Sequence, residues 1–104
     1  MEDSPRAAPV LTGRQRRHLR GLAQRIEPSV WVGDSGLTEG VVRAIEEALR
    51  AHELVKVRMR QPPDKKAMAA ALAESCGAVL CGLVGHTAIL YRPDAEAPRI
   101  ELPT

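Results

Sequence analysis

The four residues Gly33-Asp34-Ser35-Gly36 have types and spacing that could do chemistry, because glycines let a backbone approach a ligand closely. In KH-type domains a Gly-x-x-Gly loop clamps the backbone of a nucleic acid. A helix is expected to follow the loop, and N–H groups at a helix start favour a phosphate. The pattern predicts a phosphate-binding loop. The alternative is a structural turn, since so short a motif also occurs without a ligand.

The same residues also match the segment around the nucleophilic serine of chymotrypsin-like proteases. Those enzymes are much longer double β-barrels in which an oriented His and Asp activate the serine. Here the histidines, His18, His52 and His86, have no evident orienting carboxylate. The glycine spacing also differs from the Gly-x-Ser-x-Gly elbow of hydrolases. We therefore expect no enzyme, and a small hydrolase built on Ser35 is the most weakly supported alternative.

A run of arginines precedes the loop. Within residues 14–25 there are five arginines and no acidic residue: Arg14, Arg16, Arg17, Arg20 and Arg25. They lack the oppositely charged partners four residues away that a salt-bridged surface helix would carry. With Arg6, residues 1–25 hold six arginines against Glu2 and Asp3, a balance of +4, whereas the remaining residues hold nine basic and eleven acidic residues. This clustering favours an anionic partner, and the alternative is a solvated helix face.

A second basic stretch follows the loop. Lys56, Arg58 and Arg60 occupy alternate positions, as expected for one face of a strand. This face could extend the phosphate-binding surface, and the alternative is a sheet edge protected by charge. His86 is predicted to lie in a tight hairpin beside Gly85. There it is either an ordinary exposed histidine or a contact to a phosphate or a base.

Aromatic residues make up only 2% of the chain, namely Trp31 and Tyr91, and phenylalanine is absent. An RRM needs aromatic side chains on its sheet for base stacking, so this class is excluded. Base stacking therefore cannot be the main mode of nucleic-acid binding, and the backbone must be held instead. We expect both aromatic residues to be core residues or partly buried anchors.

Two cysteines, Cys76 and Cys81, are too few for a disulfide framework or a zinc site. We expect both to be reduced, with Cys81 in the core, and we expect no metal or cofactor. The N-terminus lacks the apolar segment of a signal peptide, and the longest apolar run, residues 78–84, is too short to span a bilayer. The predicted location is the cytoplasm, without a membrane partner or a small-molecule substrate.

The elements that must position these residues follow from periodicity, capping residues and turn signals. A chain of 104 residues is expected to form one domain. Residues 1–10 are predicted to be disordered and residues 11–103 to form the domain. The predicted order is α-β-α-β-α-β-β. The helices are expected from a Thr12–Gln15 capping box to Pro28, over about 38–52 and over about 65–76, and the strands over about 29–33, 54–60, 78–84 and 88–92.

This order predicts the α/β fold class, a single domain with one mixed four-stranded sheet and helices packed on it. Helical crossovers join the first three strands, so these should run in the same direction, and the final hairpin adds an antiparallel strand. Residues 78–84 are nearly all apolar, so we expect this strand in the sheet interior. The order of the strands in the sheet stays open.

Four segments of the chain resemble YhbY-type proteins, the bacterial stand-alone CRM domains of the chloroplast RNA splicing and ribosome maturation family. Residues 11–23 are similar to the opening helix, 33–41 to the Gly-x-x-Gly loop and the helix after it, 52–57 to the second strand and 84–93 to the closing hairpin. The segments read LTGRQRRHLRGLA, GDSGLTEGV, HELVKV and VGHTAILYRP. The resemblance covers roughly residues 11–103, in order and at the family's spacing.

The resemblance implies a fold similar to the C-terminal domain of bacterial translation initiation factor three. It also implies an RNA-binding protein that binds ribosomal RNA or large-subunit precursor particles and assists ribosome assembly, and we expect a monomer. The RNA-binding residues would be Gly33, Asp34, Ser35, Gly36, Arg14, Arg17, Arg20, Lys56 and His86. Here His86 stands where the family often has Lys, and Asp34 where its loops carry Asn or a basic residue. The alternative is a protein-interaction module that docks on a ribosomal protein through a strand edge or the second helix.

Overall fold

The computed structural model describes residues 8–104, so most of the segment predicted to be disordered, 1–10, lies outside the described residues. The order of elements is the predicted one. The helices are α1 (Gly13–Ala23), α2 (Glu39–His52) and α3 (Lys65–Ser75), and the strands are β1 (Val30–Val32), β2 (Leu54–Met59), β3 (Val79–Val84) and β4 (Thr87–Tyr91). Within the described residues, no helix is both long enough and apolar enough to cross a bilayer.

The four strands form one mixed sheet in the order β1-β2-β4-β3. β1 and β2 are parallel, and β4 lies antiparallel to both β2 and β3. The first three strands therefore share one direction, as predicted. The expectation that residues 78–84 form an interior strand is wrong, because β3 is an edge strand and β4 inserts between it and β2. All five residues of β4 are buried, whereas only Cys81 is buried in β3.

Helices cover both faces of the sheet, so the strands separate two hydrophobic clusters. On one face α2 and α3 pack against the sheet through Ile45, Leu49 and Leu72. On the other face α1 packs through Leu19 and Ala23. β3 is apolar although it lies at the edge, because both α1 and α3 contact it. An all-apolar strand thus reflects coverage on both faces here, not a central position in the sheet.

The ends of α1 show which local signals were decisive. Thr12 caps α1 as predicted: its hydroxyl oxygen accepts a hydrogen bond from the Gln15 backbone N–H, and the Gln15 side chain accepts one from the Thr12 N–H. The prediction that Pro28 ends this helix is wrong, because α1 stops at Ala23 and Gln24 is its C-terminal cap. The intervening residues turn the chain toward β1.

The C-terminal tail is fastened to the sheet by a buried carboxylate. Glu53 caps α2 with a left-handed φ of 65° and has no exposed surface. Its carboxylate accepts hydrogen bonds from the backbone N–H groups of Asp94, Arg99 and Ile100. The Arg99 guanidinium lies 3.8 Å from the same carboxylate. The tail is therefore irregular in structure but anchored on the domain.

Candidate nucleic-acid interface

The Gly-x-x-Gly loop leaves the carboxyl end of β1 as a tight turn. The Gly36 N–H donates to the Gly33 carbonyl oxygen at 3.0 Å. Gly36 has a φ of +70°, and a Cβ there would lie 3.3 Å from the Met68 Cε atom of α3. At Gly33 a Cβ would meet nothing within 4 Å. Gly36 therefore shapes the turn, whereas Gly33 leaves its backbone open to a ligand.

The sheet topology brings several predicted site residues to one end. β1 and β2 are parallel, so their carboxyl ends lie side by side, and the β3–β4 hairpin returns to the same end. The Arg60 N–H donates to the Val32 carbonyl oxygen at 2.9 Å, and the Met59 N–H donates to the His86 carbonyl oxygen at 2.8 Å. The loop, Arg60 and the exposed His86 thus share this end of the sheet.

Asp34 partly neutralises this end of the sheet. Its carboxylate lies 3.8 Å from the Arg60 Nε atom, and both side chains are largely exposed, at 85% and 76%. An exposed pair of this kind contributes about 0–1 kcal/mol to stability, so it can open for a competing anion. Asp34 is therefore the acidic member of a basic cluster.

The face of β2 that carries α1 forms a second basic region. Val55, Val57 and Met59 are buried under α2 and α3, so Lys56 and Arg58 point to the opposite face. There they line a groove between α1 and the sheet. The groove is lined by Arg20, Gln24, Pro28, Lys56, Arg58, Val84, Thr87 and Ile89.

Arg58 joins the groove to the loop end of the sheet. It also lines a neighbouring recess with Trp31, Met59, Arg60, Gln61 and His86. One exposed guanidinium therefore belongs to both regions. Through it, Arg20, Lys56, Arg60 and the imidazole of His86 line one continuous surface.

Two of the predicted contact residues also make bonds within the fold. The Arg20 guanidinium donates to the Cys81 carbonyl oxygen at 2.9 Å, and the Lys56 ammonium donates to the Ile26 carbonyl oxygen at 3.0 Å. Gly82 makes room for Arg20, because a Cβ there would lie 2.6 Å from the Arg20 Cδ atom. Guanidinium has five N–H donors and ammonium three, so each group keeps donors for a ligand.

The remaining predicted arginines lie on α1. Arg14 and Arg17 are exposed and precede Arg20 at successive spacings of three, so they continue its row along the helix. Arg16 differs from them, because it is half-buried and donates to the Leu11 carbonyl oxygen at 2.8 Å. The structure thus places Arg14 and Arg17 on the open part of α1 and uses Arg16 within the fold.

Trp31 is a residue of this surface that the sequence analysis placed wrongly. We predicted a core residue or partly buried anchor, but 63% of Trp31 is exposed. Tyr91, with the same prediction, is buried. Alternation in β1 places Trp31 on the face opposite Val30 and Val32, but both faces of this sheet carry helices, so alternation alone does not predict exposure. Trp31 is exposed because α1, the helix on that face, packs against β2, β3 and β4.

Both cysteines are free and Cys81 is buried in the core, as predicted; Cys76, for which no burial was predicted, is buried as well, in the other hydrophobic cluster. Burial raises the pKa of both thiols to about 11. The Glu46 carboxylate adds to this effect at Cys76, where Arg92 opposes it, and Arg20 and Arg16 oppose it at Cys81. Among residues 8–104, His, Cys, Asp and Glu side chains form no group of three or more that could hold a metal ion.

Comparison with known proteins places the chain in a family. The chain is 40% identical over 96 residues to an RNA-binding protein of Haemophilus influenzae, covering 90% of this chain and 96% of that one. It is 38% identical over 96 residues to YqeI of Bacillus subtilis, by name a probable RNA-binding protein, covering 90% of this chain and all of that one.

A solved structure agrees with the fold. The solution structure of SAV1595, a hypothetical RNA-binding protein of Staphylococcus aureus, superposes with a TM-score of 0.79 at 36% identity, covering 90% of this chain and all of that one. The sequence pattern of the CRS1 / YhbY (CRM) domain matches residues 11–92, which contain the loop, α1, β2 and the hairpin. The chain therefore belongs to the CRS1 / YhbY (CRM) domain family.

Proposed function

We propose that this protein binds ribosomal RNA or precursor particles of the large ribosomal subunit and assists their assembly without catalysing a reaction. Relatives that are 38–40% identical carry the name RNA-binding protein, which supports RNA as the partner. The proposed setting is the bacterial cytoplasm. The proposed form is a monomer that needs no cofactor or metal.

The observation that carries the proposal is the position of Arg58 between two basic regions. Arg60, which is paired with Asp34 of the loop, lies on one side of it, and Lys56, Arg20 and Gln24 lie on the other. A surface of this kind fits a folded RNA better than an isolated anion, because it offers donors at several points along a path. The donors on this surface would bind phosphates and 2′-hydroxyl groups, so the protein would recognise the shape of the RNA.

Within this proposal the loop and the helix have different roles. The open backbone at Gly33 would approach a phosphate, with Ser35 and the Gly36 turn beside it and Asp34 limiting the attraction. Arg14, Arg17 and Arg20 on α1 would hold phosphates farther along the RNA, while His86 borders the loop end. Each contact to a phosphate releases a counterion, so binding should weaken steeply as salt is raised.

The proposal is tested by measuring the affinity for large-subunit ribosomal RNA across a salt series. Arg58→Gln is the probe and Arg43→Gln is the matched control, because Arg43 is also exposed but lies on α2, which covers the opposite face. We expect Arg58→Gln to lower affinity and to reduce the slope of log K against log salt by about 1. Arg43→Gln should leave both unchanged.

A flat salt dependence, or equal effects of the two variants, would overturn the backbone-holding mechanism. The protein-interaction alternative makes a distinct prediction. It requires that Arg→Gln changes at positions 14, 17 and 58 leave association with ribosomal particles undisturbed while particles stripped of RNA still bind.

A further inference from the structure

We propose that the indole of Trp31 stacks on an unpaired base of the bound RNA, so that this interface recognises one unpaired nucleotide in addition to holding the backbone. The inference rests on the proposed function, because it assumes that RNA lies on the surface that contains Arg58. The RNA would therefore contain an unpaired nucleotide at this point, which contacts to the backbone alone would not require.

The fold keeps the indole exposed. Trp31 is 63% exposed, whereas its neighbours Val30 and Val32 are 6% and 2% exposed. Turning β1 over to bury the indole would expose both valines, because side chains alternate between the faces of a strand. The helix on this face, α1, packs against β2, β3 and β4. The large aromatic face therefore remains available to a ligand.

Two arginines and a histidine lie beside the indole. Trp31 is the register partner of Arg58 in the β1–β2 ladder, and neighbouring strands are about 4.8 Å apart. Arg60 and His86 line the same recess. The indole ring would stack on the base of a nucleotide, and the neighbouring guanidinium groups would bind its phosphate. This pairing is the usual arrangement in single-stranded nucleic-acid sites.

The charges also decide between a nucleic acid and a protein as the occupant. Tryptophan and arginine are enriched in protein–protein interfaces too, so it is the excess of positive charge that favours a polyanion over a protein. The recess around Trp31 contains two arginines, and of these only Arg60 has an acidic partner that the structure describes, Asp34. A nucleotide satisfies both the apolar ring and the positive charges, so RNA is the occupant that fits.

Trp31 is the only tryptophan of the chain, so its fluorescence reports directly on the proposed contact. The probes are a stem-loop taken from large-subunit ribosomal RNA and a fully paired duplex with the same stem. We expect the stem-loop to quench the fluorescence of the native protein and to bind more tightly than the duplex. The duplex should bind with the same dependence on Arg58 but quench little.

The variants separate stacking from hydrophobic contact. Trp31→Leu should weaken binding of the stem-loop by about 5- to 160-fold, the range that stacking of one base supplies. Trp31→Phe should retain most of the affinity, and neither variant should change binding of the duplex. Because Trp31 is exposed, both variants should show the circular dichroism spectrum and thermal midpoint of the native protein.

Failure of this inference and failure of the proposed function look different. If Arg58→Gln weakens both RNAs while Trp31→Leu weakens neither, RNA binding stands and base stacking is overturned. If the native protein binds neither RNA, the proposed function fails and the stacking proposal fails with it. If Trp31→Leu leaves RNA affinity unchanged but abolishes association with RNA-free ribosomal proteins, Trp31 contacts a protein and the inference is wrong.

Discussion

Gly33 and Gly36 differ in what their positions require, although both belong to the same motif. Gly36 has a left-handed φ and lies against Met68, so the fold itself disfavours any side chain at this position. Gly33 has neither constraint, so the fold alone does not account for a glycine there. The motif could be recognised in the sequence, but this division between a structural and a ligand-facing glycine could not, because it depends on φ and on a side chain from α3.

A pair of substitutions separates the two roles. Gly33→Val should weaken RNA binding by about 1.5–3 kcal/mol, the contribution of one hydrogen bond to a charged group, with little change in the free energy of unfolding. Gly36→Ala should lower the free energy of unfolding by about 1–2 kcal/mol because of its left-handed φ. Urea unfolding and RNA affinity are measured for both. Loss of stability in Gly33→Val without loss of affinity would contradict the assignment.

Asp34 is predicted to limit RNA affinity. Asp34→Asn should bind RNA about two- to fivefold more tightly, because a negative charge is removed from the phosphate path and Arg60 is released. Stability should change little, since the exposed ion pair contributes about 0–1 kcal/mol. The control is Glu74→Gln, six residues beyond Met68 on α3 and about 9 Å farther along it. An affinity gain of equal size in both variants would indicate that the change in net charge, and not the position of Asp34, raises the affinity.

At the scale of elements, the helices and strands were predictable because each has a local signal. Capping residues mark the helix starts at Thr12, Thr38 and Asp64, and alternation marks β2. The place of β3 at the sheet edge was not predictable, because apolar runs occur in any strand that is covered on both faces. The anchoring of the tail was also hidden, since Glu53 and its partners are more than forty residues apart.

Glu53 should make stability depend on pH in the acidic range. Burial by itself raises the pKa of Glu53, but hydrogen bonds from Asp94, Ile100 and Arg99 and the Arg99 charge outweigh it, so the pKa lies below its ordinary value of 4.5. The folded state therefore holds fewer protons than the unfolded state. The stabilisation is present above about pH 4.5 and is lost as pH falls through the lower folded pKa.

Urea unfolding of the native protein and of Glu53→Gln between pH 7 and pH 3 tests this role. At pH 7 the variant should be less stable by about 2–4 kcal/mol, because its amide places an N–H donor against backbone donors. The difference should shrink below about pH 4.5. Glu47→Gln, an exposed change on the same helix, is the control. A difference that stays constant with pH would show that the Glu53 charge is not involved.

At the scale of the whole molecule, one sheet holds two helical layers together, and each layer contains one buried thiol. Cys76 belongs to the cluster under α2 and α3, and Cys81 to the cluster under α1. Because burial raises the pKa of both to about 11, thiolate is scarce near neutral pH and alkylation requires unfolding. The two thiols therefore report separately on the two layers.

Pulsed alkylation at increasing urea, read by mass spectrometry, should modify Cys76 and Cys81 at the same midpoint. A single midpoint is expected because β4, buried along its whole length, belongs to both clusters and couples the layers. Labelling of Cys81 at a lower urea concentration would show that α1 detaches first. That result would contradict a cooperative domain.

We infer that the basic surface around Arg58, and not the net charge of +2, is what binds RNA. Crosslinking the protein to RNA in living cells, with sequencing of the RNA and mapping of the crosslinked peptides, tests it most directly. We predict adducts in large-subunit ribosomal RNA, carried by the peptides that contain residues 29–36 and 54–61. Adducts on the outer face of α2, or an absence of ribosomal RNA among the crosslinked species, would contradict the account.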